Sequence, residues 1–212
     1  MQGMTWSDRL ATLVGPVLAE TPLGSPPAGA AAAWAEAFRD ERGNRRRSDG
    51  ALLARLLGES ALPAAPSDSL DVRLWTDAAN SVTDAAEDLV SADGPLAPLA
   101  DGVIEVWTES ELSGIQALRS LALAVERHDL AERALRAAAW HVDNTQPDNA
   151  TNQPWAINVF AELASRPGTR GVEAEMYAQT LVHNALFPRG RPERFAACVM
   201  LEASRGLLAI GL

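Results

Sequence analysis

The sequence contains one cysteine, no lysine and no long hydrophobic run. A single cysteine, Cys198, excludes an internal disulfide and fits a reducing compartment, and 212 residues are enough to bury a core without such a link. The first ten residues, MQGMTWSDRL, lack the apolar stretch of a secretory signal. No segment approaches the roughly 20 apolar residues that span a bilayer. We therefore expect a cytoplasmic protein that has no membrane partner.

Basic residues are fewer than acidic residues in this sequence. All 18 basic residues are arginine, and 28 acidic residues outnumber them, which gives a formal net charge of -10. Because such a chain repels phosphate backbones, we expect no nucleic-acid partner. The one dense basic run, Arg45 to Arg47, follows acidic residues and favours a solvated loop over a phosphate or partner patch.

Helical periodicity is present along most of the chain, and no alternating strand pattern was found. The first helix illustrates it: Thr5 is placed to cap the helix, and apolar residues recur at spacings of three and four from Trp6 to Leu18. Further helices are predicted, among others over about 69–91, 97–107 and 110–127. Short connections between helices favour antiparallel neighbours. The predicted fold is all-α, with antiparallel helical hairpins forming a curved bundle or short α/α solenoid.

The pattern predicts one helical domain over residues 1–212. The proline-rich segment ALPAAPSDS at 61–69 is the best linker, so a subdivision into 1–62 and 66–212 stays open. Trp75, Trp107 and Trp140 are 32 and 33 residues apart, and this layout resembles α/α-toroid or helical-repeat proteins. Alternatively, each tryptophan simply fills the core near a helix end.

No segment carries a specific catalytic signature. The sequence lacks GxSxG, HExxH, CxxC and a phosphate-binding glycine loop. Cys198 lies in an apolar helical run, where a thiol behaves as a small buried hydrophobic group. We therefore predict no catalytic residue, no metal site and no cofactor.

The most unusual segment is WHVDNTQPDNATNQPW, residues 140–155, in which amide and carboxylate side chains lie between two tryptophans. Such side chains offer many oxygens on short stems and suit sugar hydroxyls or a hard cation. The same side chains also stabilise tight loops by binding backbone groups. Both interpretations remain open at this point.

The helix predicted over 175–186 carries a second polar face. If it faces the 140–155 loop, the two segments form a polar pocket. The predicted ligand-binding residues of this pocket are His141, Asp143, Asp148, Asn149, Tyr177 and His183.

Two functions follow from these patterns. The leading hypothesis is a protein-interaction or scaffold module, because no catalytic signature is present and stacked hairpins form a concave face. The apolar ending RGLLAIGL favours self-association, so a homodimer is predicted as well. The alternative is a small-ligand binding protein or enzyme that uses the pocket of the 140–155 loop and the 175–186 helix for a sugar-like molecule or a metal.

Overall fold

Helices form all the regular structure of the described chain. The computed structural model describes residues 4–24, 31–58, 69–99, 103–145, 153–168, 170–187 and 189–212. These ranges contain nine α-helices, one short 3₁₀ helix and no strand, which confirms the all-α prediction. The α-helices are α1 (Trp6–Leu18), α2 (Ala31–Ala37), α3 (Asp49–Leu57), α4 (Leu70–Asn80), α5 (Ile104–Ala124), α6 (His128–Asn144), α7 (Ile157–Ser165), α8 (Gly171–Leu186) and α9 (Arg194–Ala209), and the 3₁₀ helix is Glu87–Leu89.

The start of α1 follows the sequence pattern closely. Thr5 caps the helix, because its side-chain oxygen accepts a hydrogen bond of 3.2 Å from the Asp8 N–H. Leu10, Val14 and Leu18 are buried along the predicted apolar stripe. The predicted cap and buried face of this helix are confirmed.

Two other helix boundaries were predicted wrongly. The helix expected to reach residue 91 ends at Asn80, where Ser81 adopts a left-handed conformation with φ 55°. The break expected between 107 and 110 is absent, since α5 runs through it. The polar residues there suggested a cap, but the Ser110 hydroxyl donates to the Val106 carbonyl within the helix at 3.0 Å.

The three evenly spaced tryptophans do not mark a repeated unit. Trp75 lies in the middle of α4, Trp107 in the first turn of α5 and Trp140 near the end of α6. The three residues occupy different places on their helices, and only Trp75 is fully buried, so the spacing of 32 and 33 residues does not correspond to one repeated position.

One cluster of buried apolar residues includes members of all nine helices. The sequence neighbours α4 and α5, α5 and α6, and α7 and α8 pack side by side, and α1 packs along α9. Trp155 lies at the centre, with its ring 5.9 Å from that of Trp75 and 5.5 Å from that of Phe195. None of the described helices combines the length and the apolar composition that crossing a bilayer requires.

A buried polar node joins four of the helices. Gln116 of α5 accepts a hydrogen bond from the Ala156 N–H at the start of α7 and donates to the Val199 carbonyl and the Glu202 carboxylate of α9. Ser120 of α5 donates to the other Glu202 oxygen at 2.6 Å. Burial raises the pKa of Glu202.

Two arginines extend such contacts to other segments. From α3, Arg55 donates to the Ser120 hydroxyl at 3.0 Å, which adds that helix to the node. Arg133 of α6 is fully buried and donates to the carbonyls of Leu89, Gly94 and Pro95 at 2.8–3.0 Å. One guanidinium group therefore holds the connection between α4 and α5 against α6.

Removal of the Gln116 amide tests how much the buried polar node contributes to the free energy of unfolding. We expect Gln116→Ala to lower the free energy of unfolding by about 3 to 5 kcal/mol, because it leaves a buried N–H, a carbonyl and a carboxyl group without their partner. The matched substitution Gln179→Ala, at an exposed position of α8, should cost less than about 0.5 kcal/mol. Urea unfolding monitored by circular dichroism measures both; equal costs would contradict the assignment.

Candidate functional site

Of the six residues predicted to bind a ligand, the structure joins two. His141 and Tyr177 are both buried, and Thr145 lies between them, with its hydroxyl 3.3 Å from His141 Nδ1 and 3.1 Å from the Tyr177 hydroxyl. Tyr177 also stacks on Phe160 at a ring distance of 4.1 Å. Asp148 and Asn149 lie outside the described residues.

The His141 side chain is buried and packs against two aromatic rings. Its ring contacts the rings of Trp107 and Trp140 at 5.6 and 5.2 Å, and its Nε2 lies 3.8 Å from a Glu111 carboxylate oxygen. Glu111 in turn accepts hydrogen bonds from the N–H groups of Leu96 and Ala97. His141 has no exposed surface. Its contacts with Glu111 and Thr145 link the segment before α5 to α6 and α8.

The other two described residues face solvent elsewhere. Asp143 forms a two-pronged pair with Arg170 at 2.7–3.1 Å, and these hydrogen bonds lower the pKa of Asp143. His183 is exposed beside Phe187, with the two rings 5.7 Å apart. The described members of the predicted set therefore do not converge on one pocket.

A polar cleft lies instead where the loop between α2 and α3 meets α8 and α9. Its volume is about 180 Å³, and it is largely enclosed. Gln153 from the 140–155 segment and Asn184 from α8 both line it, so the two segments singled out in the sequence do meet there through other residues. The full lining is Asp40, Arg42, Asn44, Arg46, Glu109, Gln153, Asn184, Ala185, Glu193 and Ala196.

Asp40 shapes the loop that forms one wall of the cleft. One of its carboxylate oxygens accepts hydrogen bonds from the N–H groups of Arg42 and Asn44 at 2.9 and 2.8 Å, across a turn in which Gly43 has φ +81°. The other oxygen lies 3.3 Å from an Arg46 nitrogen. Burial raises the pKa of Asp40, but the backbone N–H donors and Arg46 outweigh it, so the pKa lies below its ordinary value.

The run Arg45 to Arg47 was predicted to be a solvated loop. Arg45 and Arg47 are exposed as predicted, but the Arg46 side chain turns inward. The Arg46 guanidinium lies over the Phe195 ring at 4.1 Å, and its backbone N–H donates to Asp49 at 2.8 Å. Asp49 has no exposed surface, and burial raises its pKa to about 6.

The opposite wall is fixed by ion pairs between segments far apart in sequence. Glu41 accepts hydrogen bonds of 2.8 and 3.1 Å from the Arg194 N–H and so caps the start of α9. Glu193 lies 3.0 Å from Arg189 and 3.8 Å from Arg42. Arg189 therefore pairs within its own segment, whereas Arg194 and Arg42 join this segment to the α2–α3 loop.

Several buried polar atoms at the cleft have unused hydrogen-bonding capacity. One Asp40 oxygen, which contacts Arg46 only as an ion pair at 3.3 Å, and one other Arg46 guanidinium nitrogen form no hydrogen bond of good geometry. Such atoms are uncommon in native interiors, and they gather where ligands or ordered water supply the partner. The cleft therefore offers both acceptors and donors to a polar molecule.

A metal is a poor match for this cleft. Within the part of the chain that the structure describes, no group of three or more His, Cys, Asp or Glu side chains is arranged to hold a metal ion. Two of the three carboxylates of the cleft, Asp40 and Glu193, are paired with arginines, whose positive charge disfavours a cation beside them.

Comparison with family models, with curated proteins and with solved structures gave no match for this chain.

The sequence contains a weak signal for this site. The segments DERGNRRRSD and RGRPER both place acidic and basic residues side by side, which is typical of segments that can pair with each other. Because the two segments are about 150 residues apart in sequence, their pairing cannot be predicted without the fold.

The buried Asp49 carboxyl makes stability depend on pH. With a folded pKa of about 6 against an ordinary 3.8, Asp49 favours folding when it is protonated, and this contribution is lost as the pH rises through 6. Relative to Asp49→Asn, wild-type protein should therefore lose roughly 2 kcal/mol between pH 4 and pH 7. Urea unfolding of both proteins at several pH values measures this difference. Parallel stability curves would show that burial does not perturb Asp49.

Proposed function

We propose that the chain binds a small polar molecule with several hydroxyl groups in the cleft between the α2–α3 loop, α8 and α9. The observation that carries this proposal is that Asp40 and Arg46, each with a buried polar atom that forms no hydrogen bond of good geometry, line the same partly enclosed cleft. A buried polar atom without a partner costs about 1–3 kcal/mol, which a bound ligand would recover.

The composition of the lining favours hydroxyl-bearing ligands over anions. Three carboxylates, two guanidinium groups and three side-chain amides line the cleft. A phosphate would meet carboxylates beside every arginine, whereas a hydroxyl group both donates and accepts and satisfies either kind of neighbour. This is the sugar-like ligand class that the density of amides and carboxylates predicted from the sequence.

The size of the cleft limits the ligand to about one ring. Its volume of about 180 Å³ is below the roughly 300–1,000 Å³ typical of sites for drug-sized molecules. The ion pairs of Glu41 with Arg194 and of Glu193 with Arg42 join the two walls, so binding would require little rearrangement.

A protein-interaction role is the second candidate function. The observation that favours it is the set of large apolar side chains exposed on α8, among them Val172, Met176 and Phe187. Such residues do not contribute to the polar cleft, and the two roles are compatible.

Ligand binding is tested by thermal unfolding in the presence of neutral hexoses, myo-inositol and hexuronic acids. A probe at 100 times its dissociation constant should stabilise the fold by about 2.7 kcal/mol. For a chain of this size each kcal/mol raises Tm by roughly 2–4 °C. Glu109→Gln and Asn184→Leu should abolish the shift, because both residues line the cleft.

The matched control is Glu105→Gln, which makes the same charge change one helical turn earlier on α5, at an exposed position outside the cleft. It should retain the full ligand-induced shift. If no probe raises Tm, or if Glu105→Gln and Glu109→Gln weaken binding equally, the cleft is not a site for hydroxyl-rich ligands.

A further inference from the structure

Helix α8 and its C-terminal cap expose a face with large apolar side chains at both ends. Val172, Met176 and Phe187 are 70%, 59% and 77% exposed, and His183 lies between the last two. With Gln179, these positions follow the spacing of one helix face. The opposite face, with Ala174, Tyr177, Ala178, Leu181, Val182 and Ala185, is buried in the core.

The N-terminal half of the exposed face borders an open apolar groove. The groove has a volume of about 760 Å³ and lies between the start of α1, the end of α7 and the start of α8. Trp6 donates to Glu175 at 3.0 Å, which fixes one wall against α8. Apolar contributions to the lining include Met4, Trp6, Ala161, Ala164, Met176 and Leu212.

We propose that two copies of this chain associate through these surfaces, with their α8 helices antiparallel. Phe187 lies 15 residues beyond Val172, which is about 22 Å along a helix. In an antiparallel pair, Phe187 of each copy therefore reaches Val172, Met176 and the groove of the other copy. The same contact forms twice about a twofold axis near Gln179, and the interface closes on itself.

Charge complementarity selects the antiparallel arrangement. Helix α8 carries Glu173 and Glu175 in its N-terminal half and contains no arginine. The arginines just before it, Arg166 and Arg170, are already paired with carboxylates.

At the other end, exposed arginines outnumber the acidic side chains that pair with them. An antiparallel pair places this basic end beside the acidic end of the other copy, whereas a parallel pair places acidic groups together. The exposed arginines at that end are Arg189, Arg191 and Arg194, paired only with Glu193 and Glu41.

Sedimentation velocity at about 100 µM, well above a micromolar Kd, tests the association. The mass obtained for wild-type protein should be twice the 22.5 kDa of the single chain. Phe187→Glu should sediment as the single chain, because it places a charge in the apolar groove. Val106→Glu is the matched control: Val106 is 63% exposed on α5, away from the exposed face of α8, and this variant should remain a dimer.

A cross-linking experiment tests the register. Gln179→Cys places one thiol near the twofold axis, so mild oxidation should yield a disulfide-linked dimer on a non-reducing gel. Cys198 does not compete, because it is buried and burial raises the pKa of its thiol. Val106→Cys should stay unlinked. A wild-type chain that stays monomeric, a Phe187→Glu protein that still dimerises, or equal cross-linking of both cysteine variants would each overturn the proposal.

Discussion

The hydrogen bonds of Gln116 are the constraint on which the helical packing depends. Apolar stripes bring α5, α7 and α9 together, but apolar contacts alone leave their register free to slide. The Gln116 amide accepts from the first turn of α7 and donates to two groups of α9, which fixes both helices against α5. Glu202 is tolerated in the interior because Gln116 and Ser120 satisfy its oxygens.

The local features of the fold were readable from the sequence, and the long-range ones were not. The Thr5 cap and the buried stripe of α1 depend on residues within a few positions, so their patterns predicted them correctly. The continuity of α5 was missed because its polar residues suit a cap or a helix interior equally well. Tertiary packing decided between the two.

The candidate cleft shows the same division. Amide and carboxylate density drew attention to the 140–155 segment, and that segment does contribute Gln153 to the cleft. The residues that define its chemistry, Asp40, Arg46 and Glu193, come from two other segments. His141 and Tyr177, predicted to line a pocket, meet through Thr145 with their side chains buried, which only the fold decides.

Two connections in this molecule differ in their sensitivity to pH. Arg133 holds the segment between α4 and α5 through three carbonyls, and a guanidinium group keeps its charge across the physiological range. The α2–α3 loop instead contacts Asp49, whose pKa is raised to about 6 by burial. Mild acidification would therefore remove a negative charge next to the α2–α3 loop, beside Arg46, and leave the Arg133 contacts unaltered.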